Sequence, residues 1–175
     1  PVPQIRDRAA TARIALDNIA RLLVDNVFAS PILQQPFAYG TDIVVYSATK
    51  HMDGQGRVLG GAILSDDEAF VADTLRPFLR NTGPALSPFN AWVLLKSVET
   101  LGLRVNAMSE TAGVLANRVA AANTKGVSMT YPGLGDTPAA AIARRQMKSG
   151  GRLFTLEFAD GQAAAYAFLS ALSLF

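Results

Sequence analysis

The chain has 175 residues, half of them hydrophobic, with 16 basic and 14 acidic side chains, one histidine and no cysteine. That is enough for one buried core or a core and part of another, and it excludes disulfides, thiolate metal sites and a metal centre built on histidine alone. A net charge of +2 is too small for a nucleic-acid footprint, and no apolar run approaches the roughly 18 residues of a membrane span.

Residues 5–18 set alanines, arginines and Ile14 at helical spacing, predicting an amphipathic helix. RLLVDN (21–26) is a short apolar run that ends in Asp and Asn, as a buried strand does where it meets a loop. DIVVY (42–46) is a second such strand and RVLGGAIL (57–64) a third. Buried strands alternating with helical segments predict an α/β sheet covered on both faces. The link 47–56 is too short for a parallel crossover, and Gly54 and Gly56 oppose a helix there, so the third strand is expected to run antiparallel to the second. Residues 66–79 predict a helix. Ser87 then stands at an N-cap with Pro88 as first helical residue. Gly102 is expected to interrupt the helix that follows and to mark a domain boundary, before a second long helix over 104–123. A strand near 127–131, a helix near 137–148, the strand RLFTLEFA and a final helix predict a smaller α/β unit. Arg144, Arg145 and Lys148 are expected on a solvated helix face.

Chemistry concentrates at one sheet edge. Lys50 directly follows the second strand, Ser47 and Thr49 place hydroxyls beside it, and Asp25 ends the neighbouring strand at the edge where open α/β folds bind ligands. A lysine amine among polar groups can form a Schiff base with an aldehyde cofactor. Pyridoxal phosphate further needs donors for its phosphate and a carboxylate for its ring nitrogen, which Ser47, Thr49 and Asp25 would supply. Strand ends also carry Asp, Ser and Thr merely to bond their loops, and the residues alone leave that reading open. SATK also fits the S-x-x-K pattern of serine acylases, with SDD (65–67) and KSG (148–150) as loose echoes. That chemistry needs a helix after the serine, and the glycines of HMDGQG oppose one.

VDNVFASP, together with QQPFAYGTDIVVYSATKHMDGQGRVLGG and TGPALSPFNAWVLLKSVETL, resembles the Cys/Met-metabolism family of pyridoxal-phosphate enzymes. These include cystathionine γ-synthase, cystathionine and methionine γ-lyases and homoserine sulfhydrylases. KHMDGQGRVLGG is most similar to the O-succinylhomoserine sulfhydrylase branch. The resemblance implies the central part of a fold-type I transferase: a mostly parallel sheet with one antiparallel strand in residues 1–102, and the start of a small C-terminal α/β domain in 103–175. It implies that Lys50 holds pyridoxal 5'-phosphate and shuttles protons, that Asp25 pairs with the pyridinium nitrogen, and that Ser47 and Thr49 bind the phosphate. The implied reaction is γ-replacement on O-succinylhomoserine, with sulfide as donor and homocysteine as product. Cystathionine γ-synthase or γ-lyase chemistry, or an inactive fragment, are the alternatives. Arg57 stands where relatives tend to have Asp, and is expected either to accommodate the succinyl group or simply to pair, on its hairpin, with a surface carboxylate. His51 is expected to tune a proton or to pack. The family's homotetramer and a cytoplasmic location are expected too, the latter because no signal-peptide pattern is seen.

Two departures stand out. Relatives usually place Gly at the helix end before the first strand, where this chain has Asn18-Ile19, and Asn18 is the residue expected to take the left-handed conformation. Family members are also roughly twice as long. Residue 1 is a proline and the chain stops at Leu174-Phe175, so a portion of a longer polypeptide is expected. The phosphate loop, the ring-stacking aromatic and the substrate-carboxylate arginine would lie outside it.

Overall fold

The computed structural model describes residues 5–174; Pro1, from which the spacing to Asp25 is counted, lies outside them. Helix α1 (Arg8–Asp17) begins where Asp7 accepts a hydrogen bond from the amide of Ala10 at 3.1 Å, an N-cap that starts the helix three residues later than predicted. It buries no residue. Its end corrects the sequence reading: Asn18 has φ −106° and Ile19 takes φ +53°. The hydrogen bonds explain why. Ala20 N donates to Ala15 O at 2.9 Å and Ile19 N to Leu16 O at 3.1 Å, the paired bonds of a Schellman closure. In that register position 19, not 18, must be left-handed.

Strand β1 (Leu23–Asp25) pairs in parallel with β2 (Ile43–Ser47), Leu23 opposite Ile43 and Asp25 opposite Val45. The crossover contains the short helix α2 (Ser30–Leu33) and a 3₁₀ turn, Pro36–Tyr39. Asn26 holds this crossover to the sheet. Its buried amide nitrogen lies 3.0–3.1 Å from the carbonyls of Ser30 and Gln34 and the hydroxyl of Tyr46. Strand β3 (Gly61–Leu64) runs antiparallel to β2, Ser47 opposite Gly61 and Val44 opposite Leu64, as the short link requires. It starts four residues later than predicted and is not buried: Ile63 and Leu64 are exposed. Successive strand residues point to opposite sides, so the exposure of both leaves neither face of β3 fully covered among the described residues, against the expectation of a sheet covered on both faces.

A π-helical stretch (Phe70–Leu75) leads into α3 (Arg76–Thr82). Pro77 accounts for the widening, because it has no N–H for the carbonyl of Asp73 and its ring crowds that turn. Helix α4 (Pro88–Val98) is capped by Ser87, whose Oγ accepts from Asn90 N at 3.1 Å. The break before α5 (Leu101–Ala122) falls at Glu99-Thr100, and Gly102 lies inside α5. Arg104 Nη2 donates to Ser97 O at 2.9 Å across the break, satisfying a carbonyl at the end of α4.

Helix α5 is the spine of the molecule. Leu101 and Val105 pack with Leu33 in one cluster, and Ala112 and Ala116 pack with Tyr131 in the other. The apolar stripe 101, 105, 112, 116 follows helical periodicity. Beyond it, β4 (Val127–Thr130) pairs antiparallel with β5 (Thr155–Phe158), flanked by α6 (Pro138–Gln146) and α7 (Gly161–Ser170). Arg145 ties α6 to the start of α1 through Asp7, 2.6 Å from Nη2 to Oδ2. No helix of the described residues is long and apolar enough to cross a membrane.

Candidate active site at the end of strand β2

Parallel pairing of β1 with β2 brings Asp25 and the Ser47–Lys50 segment to one edge of the sheet. Asp25 is exposed; its Oδ1 accepts from Val27 N at 3.0 Å, turning the chain away from the strand. Ser47 is half-buried and Ala48 fully buried. The amides of Ala48 and Thr49 both donate to Gly60 O, at 2.8 and 3.3 Å. Thr49 Oγ1 accepts from Gly60 N at 3.1 Å and lies 3.4 Å from Gly60 O as a donor. These bonds anchor the segment so that Lys50 emerges exposed, and its amine joins no salt bridge among the described residues.

The loop that follows is held by two arginines that sequence reasoning did not combine. Asp53 is buried and accepts from Arg57 N at 2.6 Å and Arg57 Nε at 2.9 Å, while its own amide donates to Ala48 O at 2.9 Å. Burial pushes the Asp53 carboxyl up, but the hydrogen bonds and charge of Arg57 together hold it below its ordinary value. Arg57 Nη2 also donates to Ser97 Oγ at 2.7 Å. From α5, Arg104 donates to the carbonyls of His51 (2.9 Å) and Met52 (3.1 Å). Gly54 makes room: a Cβ there would lie 2.0 Å from Arg104 Nη1, and its φ of +75° favours glycine independently. Arg57 therefore meets a carboxylate, and the carboxylate is a buried one. His51 tilts against Phe28, ring centroids 6.3 Å apart, with a buried Nε2 that has no partner. The Asp53–Arg57 pair was legible as an i, i+4 charge pair; Ser97 and Arg104 had no local signal.

A cavity of about 590 Å³ lies beside this edge, between the end of β1, α2 and residues 150–155. Asp25 and Asn26 line it; Ser47, Thr49, Lys50 and Arg57 do not. An exposed amine just past one strand and an exposed carboxylate at the end of its parallel neighbour are what an aldehyde cofactor with a basic ring nitrogen requires, so these residues fit pyridoxal phosphate.

The fold, a partial mixed α/β sheet, is that of the fold-type I pyridoxal-phosphate-dependent enzymes. The family model for Cys/Met metabolism PLP-dependent enzymes matches residues 1–175, and the chain belongs to that family. It is 46% identical over 158 residues to an O-succinylhomoserine sulfhydrylase of Mycobacterium tuberculosis, covering 89% of this chain and 38% of that protein. To the Pseudomonas aeruginosa protein of the same name it is 41% identical over 172 residues, 98% of this chain and 42% of that one. A cystathionine gamma synthase structure from Xanthomonas oryzae pv. oryzae superposes with a TM-score of 0.93 at 33% identity, covering 100% of this chain and 45% of that one. An apo methionine gamma lyase from Micromonospora echinospora gives 0.91 at 35%, covering 100% and 47%. The chain thus spans about two fifths of the length of the curated relatives it matches.

Proposed function

We propose that this chain carries the lysine-bearing part of a pyridoxal-phosphate-dependent enzyme for γ-replacement on O-succinylhomoserine, with sulfide as donor and homocysteine as product. The observation that carries the reading is the juxtaposition of Lys50 and Asp25 at one edge of adjacent parallel strands. When bound, the cofactor supplies an electron sink that makes the protons of an attached amino acid removable. Lys50 Nζ would hold it and would then move protons at the substrate's Cα and Cβ, as succinate leaves Cγ and sulfide forms the new bond there. The Asp25 carboxylate would accept from the ring nitrogen, and the hydroxyls of Ser47 and Thr49 would hold the phosphate, Thr49 by exchanging its 3.4 Å bond to Gly60 O for a phosphate oxygen. The loop fastened by Asp53, Arg57 and Arg104 keeps the Lys50 backbone in place. The similarity to O-succinylhomoserine sulfhydrylases supports the substrate; similarity to a cystathionine gamma-synthase, 39% over 166 residues, supports cysteine as the alternative donor.

The residue divisions 1–102 and 103–175 remain our reading of the large and small domains; two separate sheets support two units, while the division itself falls in the first turn of α5 and not at a helix break. Assembly as a homotetramer whose neighbouring subunits complete the site is part of the same reading. Borohydride reduction followed by peptide mass analysis tests it. A pyridoxyl-phosphate adduct is expected on the peptide containing Lys50, and none in Lys50→Ala; an unmodified wild-type peptide would leave an inactive fragment as the better reading. Turnover with sulfide against cysteine then separates sulfhydrylase from synthase. The acyl role of Arg57 is tested apart: Arg57→Ala should weaken the preference for succinyl over acetyl esters, and an unchanged ratio would end that idea.

A further inference from the structure

The cavity beside Asp25 contains more polar capacity than the lysine edge uses. Arg8, from the first turn of α1, and Arg152, from the stretch before β5, both line it, as does Gln34 at the end of α2. Arg8 Nε, Arg152 Nε and Gln34 Nε2 are each buried without a hydrogen-bond partner, and Gln34 is only 3% exposed. Neither guanidinium forms a salt bridge among the described residues. Such a set of orphaned donors is costly unless something accepts from them. Arg152 Nη2 donates to Phe28 O at 3.2 Å and Nη1 lies 4.0 Å from Met108 Sδ, which leaves Nε as its unpartnered donor.

We propose that this cavity is a binding site for a small aliphatic carboxylate, held by Arg8, Arg152 and Gln34. Two guanidinium groups against the one carboxylate of Asp25 leave a single positive charge, which a monoanion balances. A dianion such as sulfate would face Asp25 with excess negative charge. Guanidinium forks match the planar carboxylate, and Phe28, Ala29, Pro132, Met147 and Phe154 supply apolar wall for a short chain. The volume lies in the range of small-molecule sites. Desolvation already depresses Arg152 to about 10, a burden that a bound anion relieves. The site shares Asp25 with the reading above but uses neither Lys50 nor the hydroxyls of Ser47 and Thr49.

Equilibrium dialysis of the purified protein against radiolabelled butyrate tests it. One saturable site per chain is expected, at least tenfold weaker in Arg8→Met and in Arg152→Met, unchanged in the exposed-surface control Arg118→Ala, and not displaced by neutral butyramide. Arg8 lies on a helix that buries no residue, so its variant is expected to fold even if the Arg152 variant does not. No saturable binding, or binding indifferent to the Arg8 and Arg152 substitutions, would overturn the site. Stronger competition by sulfate than by a second carboxylate would overturn its chemical class. Displacement of butyrate by pyridoxal phosphate would make the cavity the cofactor's own and would equally sink the proposal. A missing adduct at Lys50 with butyrate binding intact would count against the proposed function and leave this site standing.

Discussion

Ile19 carries a β-branched side chain at φ +53° and is 99% exposed, so it has conformational strain and no packing to offset it. Left-handed backbone costs an ordinary L-residue about 1–2 kcal/mol. Ile19→Gly is therefore expected to stabilise the fold by about 1 kcal/mol, after allowing for glycine's greater freedom in the unfolded chain. Urea denaturation would read this as a higher midpoint at constant m-value; an unchanged midpoint would mean the turn is not closed as described. The sequence showed that a glycine was missing here but assigned the unusual conformation to Asn18. Residue preference pointed to Asn, whereas the register of the closing hydrogen bonds decides the position. At Lys50 and Asp25, by contrast, the positions at strand ends were legible, because the apolar runs of both strands can be read locally, while the roles came from the family resemblance.

At the scale of elements, the loop from Lys50 to Arg57 depends on contacts from α4 and α5. Gly54→Ala is expected to cost about 2–4 kcal/mol, combining a left-handed backbone with loss of the Arg104 bonds to His51 and Met52. Because Arg104 is the obstacle, Arg104→Ala should make the Gly54→Ala penalty markedly smaller, and a double-mutant cycle that came out additive would refute the coupling. Asp53 adds a pH dependence. Its carboxyl is held below the ordinary 3.8 in the folded chain, so its contribution is fully present above about pH 4 and is lost as pH falls through the lowered value. Asp53→Asn should lower stability at neutral pH and flatten the acid limb of a stability–pH curve; an unaltered acid limb would rule out the role. The same loop shows what a sequence cannot display. The hairpin was legible from a link too short for a crossover, and the start of α4 from Ser87-Pro88. The α4–α5 break was misplaced at Gly102, which α5 accommodates, and the Arg104–Ser97 bond that spans the actual break has no local signal.

Across the whole molecule, burial is uneven. Helix α5 gathers two apolar clusters, yet β3 and one face of α4 remain open, and no reading of apolar runs could say which buried-looking segments would be left uncovered. On α4, Phe89, Trp92 and Leu95 are all exposed, with the Phe89 and Trp92 rings 6.1 Å apart. Their spacing by threes sets them along one side of the helix, a continuous apolar surface of the kind that marks an interaction site. The proposed homotetramer offers a second copy as its cover. Trp92 is the chain's single tryptophan and is 57% exposed, so its fluorescence reports this face without interference from another indole. As concentration rises, emission should move to shorter wavelength in step with the sedimentation coefficient, and Leu95→Glu should displace both curves to higher concentration. A buried charge in an apolar contact typically costs enough to weaken association at least tenfold. Sedimentation that rises while Trp92 emission stays fixed would place the contact on another surface. If neither changes up to high concentration, self-association is not how this face is covered.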